Sequence, residues 1–191
     1  MKVFREVRLN VNHIEVGDRI KVEFEKEDEF EEEEKYTATA IREDEDGVLF
    51  LFDDCLNKAY PMNEYGGTGG GYLESDLRKY LAEVVEKLPY KLRRRLVEDE
   101  NGDRMWLLSL EEVFGFDSNH DNTENERIEW MKNKRHRIVN RGGKYEWWWL
   151  NNVISAKYFA FVSADGHCGA ASTGVPSSLL GVRPAFKIKN L

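Results

Sequence analysis

The chain has 191 residues, 41% hydrophobic and 12% aromatic, which is enough for one packed domain and too apolar for general disorder. Lys+Arg 28 against Asp+Glu 36 leave −8 at pH 7, which argues against a protein that coats nucleic acid or an anionic membrane. No apolar run approaches the ~20 residues of a membrane span, charge interrupts any leader-like core at the start, and two cysteines do not make a disulfide framework. The expectation is therefore a cytoplasmic protein without a membrane partner.

Asp18–Phe24 alternates polar and apolar residues and predicts a half-buried strand. Between Glu23 and Glu34 stand nine acids and one base, Lys26, a run that reads as a solvated acidic loop inserted between N-terminal strands. Tyr36–Ile41 is rich in strand formers, and Val48–Phe52 is a short apolar run that reads as a buried strand. The glycines from Gly66 to Gly71 precede a helix, as a phosphate loop would. However, Tyr72 and Leu73 stand where such a loop needs Lys and Ser or Thr, so a plain loop is predicted.

Leu77, Tyr80, Leu81, Val84, Val85 and Leu88 form one apolar helical face, with Ser75 as N-cap and Pro89 as stop. Ser109–Glu112 and Thr123–Glu126 read as two capping boxes, the second opening a helix through Ile128, Trp130 and Met131. From Tyr145 onward the pattern is β: Trp147–Leu150, Tyr158–Val162 and Val182–Ile188 read as strands. Turns are expected at Asn151-Asn152, Asp165-Gly166 and Pro176-Ser177-Ser178. With no repeat or linker, residues 1–191 read as a single domain.

Asp117, Asn119 and Asp121 have the first three spacings of a calcium loop, and Glu124 could add an oxygen. Asn122 and Ile128 replace the glycine and the bidentate glutamate, so a complete calcium loop is excluded and a weaker oxygen-ligand site is left as an alternative to a plain polar loop. The four histidines and two cysteines show no zinc spacing, and no cofactor is expected. Arg127 to Lys144 carries seven bases and one acid beside the tryptophans. This suggests an alternative reading, single-stranded nucleic-acid binding through residues 127–149.

The motifs Ser75-x-Leu77-Arg78-x-Tyr80-Leu81, Trp106-Leu107-Leu108-Ser109-x-Glu111-Glu112, Trp147-Trp148-Trp149-Leu150, Phe161-Val162-x-x-Asp165-Gly166 and Gly181-Val182-Arg183-Pro184-Ala185 occur in one order. In that order they resemble an uncharacterised bacterial and phage domain family whose C-terminal signature is W-W-L-R-S-P, D-G, then G-V-R-P-A. Asn151-Asn152 stand where that family has Arg-Ser. The family is in turn similar to the C-type-lectin-like fold of formylglycine-generating enzymes and retroelement variable proteins.

The resemblance implies an α+β, C-type-lectin-like fold: a twisted antiparallel sheet, about two main helices and long C-terminal loops. It also implies a structural role for Arg183, and association with a phage particle as a second location. By this reading the protein is a non-catalytic binding or structural module, taking an unknown protein or small ligand at Trp148, Asn151, Asn152, His167 and Ser172. An oxidase of formylglycine-generating type is the remaining alternative. It needs two neighbouring cysteines, and only Cys168 lies in the matching half.

Overall fold

A computed structural model describes residues 6, 13–26, 33–168 and 178–189. It is a mixed α+β structure with a curled antiparallel sheet and four short helices. The sheet contains β1 (Arg19–Glu23), β2 (Lys35–Asp44), β3 (Gly47–Phe52), β4 (Leu96–Val97) and β9 (Ala185–Ile188), in the order β1-β2-β3-β9-β4. β1 pairs with β2 in the register Ile20↔Ala38 and Val22↔Tyr36, so the alternation in 18–24 places Ile20 and Val22 inside. β3 is buried along its whole length and pairs with β9 through Phe50↔Phe186, whose rings stack at 5.7 Å. The chain's last strand thus returns to the centre of the N-terminal sheet.

Two hairpins stand apart from this sheet. One joins β5 (Val139–Arg141) to β6 (Lys144–Glu146), the other β7 (Trp148–Ser155) to β8 (Tyr158–Val162). Bridges from Trp148 to Gly181, Tyr60 to Leu180 and Trp106 to Ala185 stitch residues 180–185 to both halves. Trp148 and Trp149 are both fully buried although they are consecutive on a strand, so β7 has protein on both faces. Their indole N–H groups donate to Arg137 O and Tyr60 O, each at 2.9 Å.

Helix α1 (Asp76–Glu86) buries Leu77, Leu81, Val84 and Val85, and the Ser75 hydroxyl accepts the Arg78 N–H at 3.1 Å. The Arg78 guanidinium meets both oxygens of Asp103 at 2.8 and 2.9 Å, tying α1 to the following loop. α2 (Tyr90–Arg93) follows Pro89. α3 (Leu110–Phe114) opens on the complete Ser109–Glu112 capping box and closes on Gly115, whose φ of 77° is the left-handed cap conformation.

Four expectations are corrected. α4 (Glu129–Lys132) begins after Ile128, not at a Thr123 capping box: the Thr123 N–H goes to Gly115 O and Glu126 N–H returns to Thr123 O, making a turn. Asn151-Asn152 is not a turn. β7 runs on to Ser155, and its ladder is irregular between Trp149 and Val153 because the two asparagines bond elsewhere. The last strand is shorter than Val182–Ile188, since Pro184 offers no N–H to a ladder. In place of about two main helices, the described residues hold four short ones, of 11, 4, 5 and 4 residues. The acidic residues 27–32, the turn residues 176–177 and Ser172 lie outside the described residues.

Candidate functional site

The site builds from the end of the sheet where β2 begins and β3 finishes. Tyr36 sits near the start of β2 with its ring between Phe24 and Phe52, at centroid distances of 4.9 and 5.4 Å. Its hydroxyl donates to Glu34 and accepts the Asn57 N–H at 3.1 Å, while Asn57 Nδ2 donates to the same Glu34 carboxylate at 3.2 Å. Burial first, then the Glu34 bond, pushes the Tyr36 phenol well above its ordinary range, so it stays a hydroxyl. Glu34, Tyr36 and Asn57 form a hydrogen-bonded ridge with a cleft on either side.

The first cleft, about 480 Å³, lies between this ridge and α1 and is lined by Phe24, Glu34, Lys58, Tyr80, Glu83 and Lys87 among others. Tyr60 and Tyr80 stack face to face at 4.4 Å, with Lys58 Nζ 4.9 and 5.2 Å from the two centroids. A cation at those two distances stands beside the stack, not over a free ring face, so it gains little from the π cloud. Burial and then Glu34 push the Tyr80 phenol up to about 12.

The second cleft, about 450 Å³, is floored by Asp54 and Cys55 and roofed by the β5–β6 hairpin, Asn140 to Gly143. A smaller recess of about 210 Å³ continues it past Thr37 and Asp53. Both larger volumes fall in the range of small-ligand sites, ~300–1,000 Å³. The hairpin tip needs glycine twice, since Gly142 and Gly143 have φ of 58° and 78°, the left-handed pair of a tight hairpin turn. Nothing lies within 4 Å of a Cβ at either position, so the tip is open. Asp54 Oδ1 accepts both the N–H and the side-chain amide of Asn140, at 2.8 and 3.3 Å, and Cys55 N–H donates to Asn140 O. Arg141 pairs with Glu146 at 2.6 Å. Burial pushes the Cys55 thiol up to about 12.

Beneath the floor lies Arg183, 4% exposed. Its Nε donates to Phe52 O at 2.7 Å and Nη1 to His136 O at 2.8 Å, with Nη2 reaching Asp53 O at 3.4 Å. The guanidinium stands 5.0 Å from the Trp148 ring centre, and burial lowers it to about 10. It is still charged at neutral pH.

The ligand-contact residues expected from sequence do not come together. Trp148 is fully buried against Arg183 and is corrected to a core residue; the exposed tryptophan is Trp147, stacked on Phe161 at 4.9 Å. Asn152 accepts the Leu110 N–H at 2.6 Å and donates to Glu111, and Asn151 donates to Leu107 O, so both brace the entry to α3. His167 lies apart from them, with Nε2 2.6 Å from Lys134 Nζ, on a turn held by the Ser163 hydroxyl. Asp117 turns its carboxylate inward on its own loop: Oδ1 accepts Asn119 N–H and Asp121 N–H at 2.8 and 2.9 Å, which holds the acid below its usual range. Among the described residues, no three His, Cys, Asp or Glu side chains are grouped to hold a metal.

In the basic segment Arg127 pairs with Glu124, Lys132 with Glu129 and Arg141 with Glu146, while Arg137 is buried. Both cysteines are free thiols; Cys55 follows β3, and Cys168 bridges Val162 of β8. Among the described residues no helix is long and apolar enough to cross a membrane. Sequence reasoning missed Tyr36, Asp54, Asn57 and Asn140. The one signal was Arg141-Gly142-Gly143, a glycine pair after a β-forming run.

No curated protein and no solved structure matches the chain. A family model, described as a domain of unknown function (DUF6273), matches residues 46–190. That span runs from the turn before β3 through the end of β9 and includes the 53–58 segment and the β5–β6 hairpin. The chain therefore belongs to the DUF6273 family.

Proposed function

We propose that the protein is a non-catalytic binding module of C-type-lectin-like architecture, bacterial or phage in origin, which takes a small polar ligand or an extended peptide. The ligand seat is the two-cleft groove on either side of the Glu34–Tyr36–Asn57 ridge. The architecture is supported by the mixed α+β arrangement and by the return of β9 to the N-terminal sheet.

The binding reading is carried by one observation. The groove is lined by hydrogen-bonding groups on a braced frame, yet its buried nucleophile is held in the unreactive form. Cys55, up to about 12, remains a thiol at neutral pH and is a poor nucleophile. Tyr80, also up to about 12, stays protonated at neutral pH and does not act as a base. Asn57 and Asn140, held by Glu34 and Asp54, present side-chain amides at fixed positions, which suits recognition.

Ligand-observed NMR with a library of polar fragments tests this, using wild type and the Asn57→Ala and Lys58→Ala variants. Both side chains are exposed, so the fold should survive. Fragments that bind wild type and lose affinity in the variants support the reading. Fragments indifferent to both variants contradict it.

A further inference from the structure

The polar atoms of the second cleft divide into those already committed to protein partners and those left over. Asn57 and Asn140 both line it, and each turns its amide nitrogen to a carboxylate: Asn57 Nδ2 donates to Glu34 at 3.2 Å, and Asn140 Nδ2 to Asp54 Oδ1 at 3.3 Å. A carboxylate only accepts, so these contacts fix the sense of both amides and leave the carbonyl oxygens on the other side. Asp54 Oδ1 also takes the Asn140 N–H, at 2.8 Å, while Oδ2 takes none. Asn57 Oδ1, Asn140 Oδ1 and Asp54 Oδ2 therefore have no donor among the described residues. The Tyr36 hydroxyl is used in both senses, by Glu34 and by the Asn57 N–H.

Charge divides the same way. Lys35 meets Glu33 and Glu23 at 3.1 and 3.7 Å, and Arg141 meets Glu146 at 2.6 Å, so both cations of the lining are paired. Arg183, beneath the floor, gives its donors to the Phe52, His136 and Asp53 carbonyls and not to the Asp54 carboxylate. Asp54 has no ion-pair partner among the described residues. What remains for a ligand is three acceptor oxygens, one of them charged, beside a space of about 450 Å³.

We propose that this cleft binds a primary alkylammonium group, an inference that rests on the groove being the ligand seat. The three N–H donors of an ammonium match three acceptors on three residues, and its charge complements Asp54. A guanidinium fits less well, because its planar fork suits the paired oxygens of one carboxylate. The rest of the space takes the alkyl arm.

Titration of the full chain with n-butylammonium tests the site, followed through the amide NMR signals at neutral pH and constant ionic strength. Saturable shifts are expected at Asp54, Asn57 and Asn140. n-Butyltrimethylammonium has the same charge and no N–H donor, so it should bind at least about tenfold more weakly; n-butylguanidinium should also bind more weakly. Asp54→Asn, at an exposed position, should weaken n-butylammonium at least about tenfold. The proposal is overturned by no saturable shift at those residues, by an affinity indifferent to methylation or to Asp54→Asn, or by tighter binding of n-butylguanidinium. The methylation comparison needs no variant, so it stands even if Asp54→Asn does not fold. Where fragments of other chemistry occupy the groove and n-butylammonium does not, this proposal alone falls; where nothing occupies it, the binding reading falls as well.

Discussion

Replacing Arg183 is the most demanding test of how the groove floor is held. The side chain donates to two carbonyls at 2.7 and 2.8 Å, from Phe52 at the end of β3 and from His136 before β5, and so ties the sheet to the hairpin segment. Bonds from a charged donor contribute ~1.5–3 kcal/mol each, so the pair is worth ~3–6 kcal/mol. Burying the cation opposes this, which is why the guanidinium falls to about 10; that shift offsets ~3 kcal/mol at most.

Arg183→Ala removes both effects and adds a void beside Trp148, at a cost of ~24 cal/mol per Å³. The net expectation is a loss of ~3–4 kcal/mol, or a Tm lower by about 10 °C for a chain of this size. Arg183→Met fills most of the void and isolates the unsatisfied carbonyls, so it should fall between wild type and Ala. Thermal denaturation followed by circular dichroism reads both. An Arg183→Ala protein within ~2 °C of wild type would mean that the bonds contribute nothing net, and the floor would need another explanation.

Three further outcomes follow from the same packing. Gly181→Ala would put a Cβ 2.5 Å from Cys55 Sγ and 2.9 Å from Trp147 O, so it should cost ~1–3 kcal/mol. Adding Cys55→Ala should restore part of the lost Tm, and no recovery at all would place the clash elsewhere. Cys55 rises from 9.0 to about 12, Cys168 from 9.0 to about 11 and Tyr80 from 10.0 to about 12, so the unfolded chain releases these protons first. Their contribution is complete below pH ~9 and is lost as pH climbs through about 11–12, visible as a falling urea midpoint; a midpoint flat from pH 8 to 11 would refute it. Replacing residues 26–32 by a short Gly-Ser turn should leave Tm within ~2 °C, because Glu25, Glu33 and Glu34 pair with Arg93, Lys35 and Asn57 and not with the 127–144 bases. Extending the replacement through Glu34 should cost ~1–2 kcal/mol from the Tyr36 and Asn57 bonds, and equal Tm values for the two replacements would contradict that.

What could be read from sequence follows from the range of the forces involved. Strand β1, strand β3, helix α1 and the Ser109 box are local: alternation, an apolar run, a helical stripe and a reciprocal cap each lie within a few residues. The Thr123 box has the same letters and fails, because Gly115 takes the Thr123 N–H from outside any local window. Asn151-Asn152 looks like a turn for the same reason. Its side chains serve Leu107, Leu110 and Glu111, more than forty residues earlier in the chain. Trp148 reads as an available aromatic until residues 180–185 pair beside β7 and Arg183 packs on its ring. The groove was the least legible feature. Tyr36, Asp54, Asn57 and Asn140 carry no motif, and only the pairing of the segment after β3 with the start of β2 and with a hairpin some eighty residues away assembles them.

The central claim is that the ridge of Glu34, Tyr36 and Asn57 divides a working ligand groove. A crystal structure of the protein soaked with the polar fragment library tests it most directly. The prediction is ordered density in one or both clefts, with hydrogen bonds to Asn57, Asp54 or the Asn140–Gly143 hairpin. Fragments bound only elsewhere, for instance against Trp147 and Leu179, with both clefts holding nothing but water, would contradict it.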